Sequence, residues 1–260
     1  MSLSLTVEDV TPCLWGKRKT VLTTLTNYGY ALYTLNMLKS LKEVNPDQKV
    51  LVVSLDKKAH ALFQQRGYHS ICVDTDLEDF NSWNQKRYDK ICYFKVLLIY
   101  RVLSLGLNVM LIDGDIVFHK DPMMDIVSWE SQEENEVWIQ NDHQMDNDWE
   151  QLCTGYHFIR STPTLIELYD CVSDAGLERY RICAMDHNDQ LYFNKYVKPH
   201  CSFKVLPLIN YPNGKMFYDN CSSIMATAVM VHFNWVIGHE KMARMKRHHM
   251  WILTEEEEEI

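Results

Sequence analysis

Four short apolar runs, "TVLTTLT" (20–26), "KVLVVSL" (49–55), "HSICV" (69–73) and "NVMLI" (108–112), are separated by stretches whose apolar residues recur at helical spacing. The stretch "YGYALYTLNMLKSLKEV" (28–44) brings Ala31, Leu35, Leu38 and Leu41 to one face. "DKKAHALFQQRG" closes on Gly67, and the helix read over 87–106 carries Ile91, Phe94, Leu98, Val102 and Leu105 before Gly106 stops it. A strand that is apolar along its whole length has to be covered on both faces. The β-α-β-α-β order therefore predicts a Rossmann-like α/β fold, a mostly parallel central sheet with helices on both faces. Sheets of this kind collect ligands at the carboxyl ends of their strands.

The fourth run does not end as a buried strand should. In "NVMLIDGDIVFHKDP" (Asn108–Pro122) it meets Asp113-Gly114-Asp115, resumes as an apolar run and stops at Asp121-Pro122. Two ionised carboxylates flanking one glycine can converge on a common point, where they repel each other. A divalent cation relieves that repulsion, and hard oxygen ligands suit Mg²⁺ or Mn²⁺ carrying phosphate oxygens. Asp121 and Pro122 read as the N-cap and first residue of a following helix. Taken alone, D-x-D is a weak pattern, because paired Asp residues also occur in solvated surface turns.

The second half is less regular. "EVWIQ" (136–140), "TGYHFIR" (154–160) and "AVMVHF" (228–233) read as strands, and "TPTLIELYDCV" and "NDQLYFNKYV" as helices, with long polar loops such as "NDHQMDNDWEQ" between them. One α/β domain over 1–254 is expected, with a nucleotide-binding half at about 20–122 and an acceptor half at about 123–254. The net charge of -9 includes five from Glu255–Glu259, so the rest of the chain carries -9 + 5 = -4 and the segment 255–260 reads as a solvated acidic tail. A mildly acidic body gives no support to nonspecific nucleic-acid binding through a basic face, although "KMARMKRHH" (241–249) is locally basic. The eight cysteines include no C-x-x-C pair and read as free thiols. No window approaches the ~18 apolar residues of a membrane span, and no secretory signal is seen, so a cytoplasmic location is expected, or the Golgi lumen if an anchor is missing.

Five segments, in chain order, carry a resemblance. They are "TLTNYGY", "LNVMLIDGDIVFHKDP", "CTGYHFIRSTP", "HNDQLYFN" and "VHFNWVIGHEKMARMKRHHMW". From Val21 to Trp251 the chain resembles the GT-A glycosyltransferases and, among them, the nucleotide-diphospho-sugar transferase family that includes plant cell-wall xylosyl- and arabinosyltransferases. The third segment looks like that family's N-T-G-x-x-x-x-R-x-T stretch, with Cys153 in place of the usual Asn.

The resemblance implies a nucleotide-sugar donor, a UDP-sugar, a glycan or glycoprotein acceptor, and transfer with retention. It implies Asp113, Asp115 and His232 as ligands of Mn²⁺ or Mg²⁺, with Asp113 also near the ribose. Lys95, Gly238 and Lys241 would face the phosphates, Thr24 and Asn27 the base or ribose, and Thr154 and Gly155 the acceptor. Asp189 and Gln190 would hold the reacting sugar; Asp189 could instead be the base of an inverting enzyme. His239 is a second candidate cation at the phosphates. Each position has a plain alternative: a hydrogen-bonded structural His at 232, a turn glycine at 238, a surface lysine at 95 or 241, helix-capping residues at 189 and 190. Trp235, Tyr28, Tyr30 and Tyr156 could stack on sugar or base, although core packing is the default for aromatics at this density.

"LIDGDIV" is also similar to the phosphatase motif of haloacid dehalogenase-like hydrolases, in which Asp113 would be the nucleophile. That motif normally opens its fold, whereas here it follows three strands. A sugar-nucleotide pyrophosphorylase would need a Gly-rich, Arg-containing loop that "TLTNYGY" does not supply. A noncatalytic nucleotide-sugar binding protein is the other class.

Overall fold

The computed structural model describes residues 3–15, 19–80, 87–184 and 188–260, the side chains at 221 and 222 excepted. His187 and the side chain of Cys221 lie outside the described residues. In chain order, a short helix α1 (Val7–Val10) precedes β1 (Thr20–Thr26), α2 (Ala31–Val44), β2 (Leu51–Ser54), α3 (Lys57–Gln65), β3 (Ser70–Cys72), α4 (Tyr88–Ser104) and β4 (Asn108–Ile112). Then come β5 (Ile116–Phe118), α5 (Met123–Ser131), β6 (Val137–Asn141), β7 (Leu152–Ile159), α6 (Pro163–Tyr169), α7 (Asp174–Cys183) and the single turn α8 (Asp189–Tyr192). The chain closes with β8 (Phe203–Leu206), α9 (Gly214–Ile224), β9 (Met230–His232), α10 (Gly238–Arg247) and α11 (Glu255–Glu258).

The central sheet has the order β3-β2-β1-β4-β7-β6-β8. Its first four strands are mutually parallel, β7 is antiparallel to both β4 and β6, and β8 runs parallel to β6. The continuous apolar runs are explained by burial on both sides. Along β4, Val109 and Leu111 join the core under α4, while Met110 and Ile112 join the core under α2 and α3. A one-residue slip of β4 would exchange the two sets of side chains.

Helix starts follow local chemistry. Asp56 caps α3 by accepting from Ala59 N at 2.8 Å, and Thr162 caps α6 ahead of Pro163. Helix α5 begins one residue later than the Asp-Pro pair predicts: Pro122 is its N-cap and cannot cap with a side chain, so Asp121 Oδ1 accepts from Met123 N at 2.9 Å instead. "NDQLYFNKYV" departs more, being α-helical only over α8 and then widening into a π turn at Phe193–Val197.

The acidic tail has no buried residue over Glu255–Glu258, yet it is tied to the body of the chain. Thr254 and Glu257 form a reciprocal capping box, Glu257 pairs with Lys39 at 2.6 Å, and Glu258 accepts from Trp251 Nε1 at 2.7 Å. The cations that hold the tail include Lys39 and Arg66, distant in sequence, and the nearer Lys246. The described cysteine thiols are all unpaired. Among the described residues no helix is long and apolar enough to cross a membrane.

One core side chain makes the fold sensitive to acid. His157, in β7, is fully buried against Phe193, and neither ring nitrogen has a hydrogen-bond partner. Burial, reinforced by the Lys95 charge, pushes its imidazole down to about 3. Below about 6.5 the unfolded chain takes up a proton that the folded chain refuses until pH falls to about 3. Stability contributed by the neutral ring is thus complete above 6.5 and falls by roughly 1.4 kcal/mol per pH unit below it. Chemical denaturation at stepped pH should show this slope flattened in His157→Leu; an unchanged slope would exclude His157 as its source.

Candidate active site

The acidic turn lies where β4 leaves the sheet. Gly114 permits it, because a Cβ there would come within 2.4 Å of Thr34 Oγ1 on α2. The chain then continues as β5, which pairs antiparallel with β9 in a separate two-stranded sheet, Ile116 opposite His232. Phe233 N donates to Asp115 O at 2.9 Å. Backbone pairing therefore brings the end of β9 to the acidic turn, and His232 Nε2 lies 3.3 Å from Asp115 Oδ1.

Asp113, Asp115 and His232 offer ligand atoms that all lie within 4.8 Å of one another, a set able to hold a divalent cation. Gly155 of β7 is packed into this cluster: its carbonyl accepts from Asp113 N at 2.7 Å, and a Cβ would come within 2.3 Å of His232 Cε1 and 2.7 Å of Asp113 Oδ2. Behind His232, Gln140 Oε1 lies 2.8 Å from Nδ1, while Gln140 Nε2 donates to Tyr211 O at 3.1 Å. The amide is thereby oriented with its oxygen toward the ring, so Nδ1 carries a hydrogen and Nε2 faces the carboxylates. Gln140 was not singled out from sequence; its signal was a polar residue ending the apolar run "EVWIQ". A second grouping, His143, Asp148 and Glu150, lies on the more exposed loop after β6.

Two lysines supply the counter-charge. Lys95, buried on α4, bridges Asp113 Oδ1 at 2.9 Å and Asp189 Oδ2 at 3.0 Å. Lys241, buried on α10, bonds Asp115 Oδ2 and donates to Tyr30 Oη at 2.9 Å. Burial opposes the charged form of Asp115, but Lys241 and His232 outweigh it and hold its carboxyl well below the usual range. Burial likewise opposes ionisation of Asp189, and Lys95 with the Thr154 hydroxyl, which donates at 2.6 Å, overcomes it. His232 is drawn the other way: burial disfavours its charged form, but the Asp115 carboxylate prevails and raises it well above 6.5.

Gln190 donates from Nε2 to Asp142 Oδ2 at 2.9 Å, and Asp142 Oδ1 also receives Asn234 Nδ2 at 3.0 Å and Trp235 Nε1 at 3.1 Å. Asp142, another residue not singled out, thus ties Gln190 to the loop that follows β9. In that loop Trp235 is exposed with φ 64°, and Gly238 opens α10 with φ 58°, its carbonyl accepting from Tyr33 Oη at 3.1 Å. His239 is exposed. Tyr156 is fully buried and stacks on Tyr211, so it belongs to the core.

The structure buries both expected nucleotide contacts. Thr24 is fully buried on the face of β1 that turns toward α2, its hydroxyl enclosed. Asn27 spends its amide on Leu77 O (2.6 Å) and Asp79 O (2.8 Å) and accepts from Tyr30 N, anchoring the loop after β1. Asp113, Asp115, His232, Lys95, Lys241, Asp189, Thr154 and Gly155 form one connected cluster, with Gln190 joined to the neighbouring Asp142 network.

A mostly parallel sheet whose strand ends present a carboxylate–imidazole cluster with buried lysines is an α/β domain with its candidate ligand site at the carboxyl ends of the strands. Comparison with known proteins sharpens this: residues 46–245 match the profile of the nucleotide-diphospho-sugar transferases, and the chain belongs to that family. It is similar, at 25% identity over 90% of its length, to the UDP-galactose:fucoside alpha-3-galactosyltransferase of Dictyostelium discoideum, and it spans 43% of that protein's length. The galactosyltransferase LgtC, solved with donor and acceptor sugar analogs, superposes over 90% of this chain and 98% of its own with a TM-score of 0.57 at 14% identity. Mouse xyloside xylosyltransferase 1 does so over 84% and 99% with a TM-score of 0.53 at 10% identity. The fold is GT-A, and the phosphohydrolase and pyrophosphorylase readings are set aside.

Gly155→Ala tests the close packing at the cluster. Forcing a methyl group between His232 and Asp113 is expected to cost about 1–3 kcal/mol of stability, read by chemical denaturation. A variant as stable as the parent would mean that β7 can yield there.

Proposed function

We propose that this protein transfers a glycosyl group from a nucleoside-diphosphate sugar, a UDP-sugar, to a hydroxyl of a glycan acceptor, with retention of anomeric configuration. The observation that carries the reading is the convergence of Asp113, Asp115 and His232 from two distant segments, locked by Gly155. The donor atoms fit Mn²⁺ or Mg²⁺: two hard carboxylates and one imidazole whose Nε2 is directed at them. When bound, such an ion would neutralise charge on the donor's diphosphate. The UDP-sugar and the α linkage in the name of the amoebal relative support the donor class and retention.

In this reading Asp113, Asp115 and His232 hold the ion, and Lys241 stabilises the departing nucleoside diphosphate. Asp189, kept ionised by Lys95, orients the transferred sugar by accepting from its hydroxyls. Gln190 faces the anomeric carbon, its amide nitrogen committed to Asp142 so that the oxygen remains for the developing positive charge. The acceptor hydroxyl then attacks from the face the nucleotide leaves, transferring its proton to the departing phosphate oxygen.

Nucleotide release should be screened across UDP- and GDP-sugars, with and without Mn²⁺ and candidate acceptors. Activity is expected with a UDP-sugar and Mn²⁺, and Asp115→Ala should reduce it by at least about a hundredfold. Donor binding without turnover under any condition would make this a binding module, and full activity in Asp115→Ala would remove the metal assignment.

The raised His232 value sets a pH dependence for the ion. The imidazolium–Asp115 pairing is complete below about 6.5 and is lost only as pH rises through the higher folded value. Near neutrality a bound cation must therefore displace a proton from Nε2. Calorimetric titration of Mn²⁺ in the presence of UDP, in buffers of differing ionisation enthalpy at pH 7, should show proton release and tighter binding as pH increases. Affinity independent of pH between 6 and 8 would contradict this.

A further inference from the structure

Lys241 touches the cluster in a way that a purely phosphate-directed lysine would not need to. Its ammonium is bonded to Asp115 Oδ2, capped by the Tyr30 hydroxyl at 2.9 Å, and lies 5.5 Å from the centroid of Tyr30 and 6.0 Å from that of Tyr33. That is a complete resting place for a cation on an oxygen that a divalent ion would also call upon. Lys95 differs, because it spans Asp113 and Asp189 and is shared between two carboxylates.

Charge balance makes the distinction consequential. With His232 counted as the neutral ligand it would be beside an ion, Asp113, Asp115 and Asp189 contribute three negative charges and Lys95 and Lys241 two positive ones. With both ammoniums in place the carboxylates are largely compensated, so a divalent ion arriving alone would give a buried site an excess of positive charge. A nucleoside diphosphate supplies the missing negative charge and a second partner for the Lys241 ammonium. Resting on the metal and diphosphate roles proposed above, we infer that Lys241 is an internal competitor of the divalent cation at Asp115, withdrawn by the diphosphate, so that cation and nucleotide bind cooperatively.

The test is direct binding, read by calorimetry and by the electron-spin signal of free Mn²⁺, with the wild-type chain, Lys241→Met and Lys241→Arg. In the wild type, UDP should tighten Mn²⁺ binding by roughly 5–150-fold, and Mn²⁺ should tighten UDP binding by the same factor. Lys241→Met should bind Mn²⁺ more tightly than wild type without nucleotide, bind UDP more weakly in its presence, and lose most of the coupling. Lys241→Arg should keep nucleotide-free Mn²⁺ affinity low. Nucleotide-free affinity unchanged or weakened in Lys241→Met would overturn the inference, and so would equal Mn²⁺ affinity of the wild type with and without UDP, a result needing no variant. Failure of the wild type to bind Mn²⁺ even with UDP would instead overturn the metal centre itself.

Discussion

The site depends on a three-residue ladder outside the main sheet. Strand β4 delivers Asp113 to the sheet edge, but only the pairing of β5 with β9 carries His232 to Asp115. Each backbone hydrogen bond in such a ladder contributes about 0.5–1.5 kcal/mol, little beside the cost of holding buried charges together. The ladder is supported from behind: Val117, Val231 and Phe233 are buried with Tyr33, Phe217 and Met245, so α2, α9 and α10 clamp it. Apolar packing of one small cluster thus offsets the electrostatic cost of another.

Breaking any one partner of the charged cluster leaves an uncompensated buried charge, whereas an apolar replacement of the whole set would cost the fold little. Its persistence in a packed interior is therefore better accounted for by chemistry than by stability. Other local departures lie around it: the Thr24 hydroxyl enclosed in β1, the unpartnered imidazole of His157 near Lys95 and Asp189, and the left-handed backbone of Trp235.

What the sequence made legible was what local pattern controls. Strand β1 falls on the run "TVLTTLT", α4 within 87–106, and the acidic turn where an apolar run breaks. What it concealed depends on direction and on distant partners. Thr24 gives no sign of its burial because a strand's outward face cannot be told from its inward one when both are buried, and the carbonyls of Leu77 and Asp79 that engage Asn27 are distant in sequence. The ion pairs of the acidic tail were not legible because Lys39 and Lys246 meet it only in the folded chain. Lys95 was placed correctly on its helix, yet its two-carboxylate bridge follows from α4 crossing toward α8, which no periodicity reveals.

Cys153 shows how a departure from a family pattern can be absorbed. Its sulfur is buried, 3.6 Å from His232 Nδ1 and 3.7 Å from Asn234 Nδ2, at the rear of the imidazole. An Asn at this position could offer those groups a strong acceptor, and a thiol offers only a weak one. Gln140 meets the need from the neighbouring strand, with its oxygen 2.8 Å from Nδ1. The task of fixing the histidine tautomer therefore rests with β6, and Cys153 fills space behind the ring. Thr154 and Gly155 follow it along β7, one bonding Asp189 and the other seated against His232 and Asp113, so three successive residues of one strand organise both carboxylate groups and the imidazole between them.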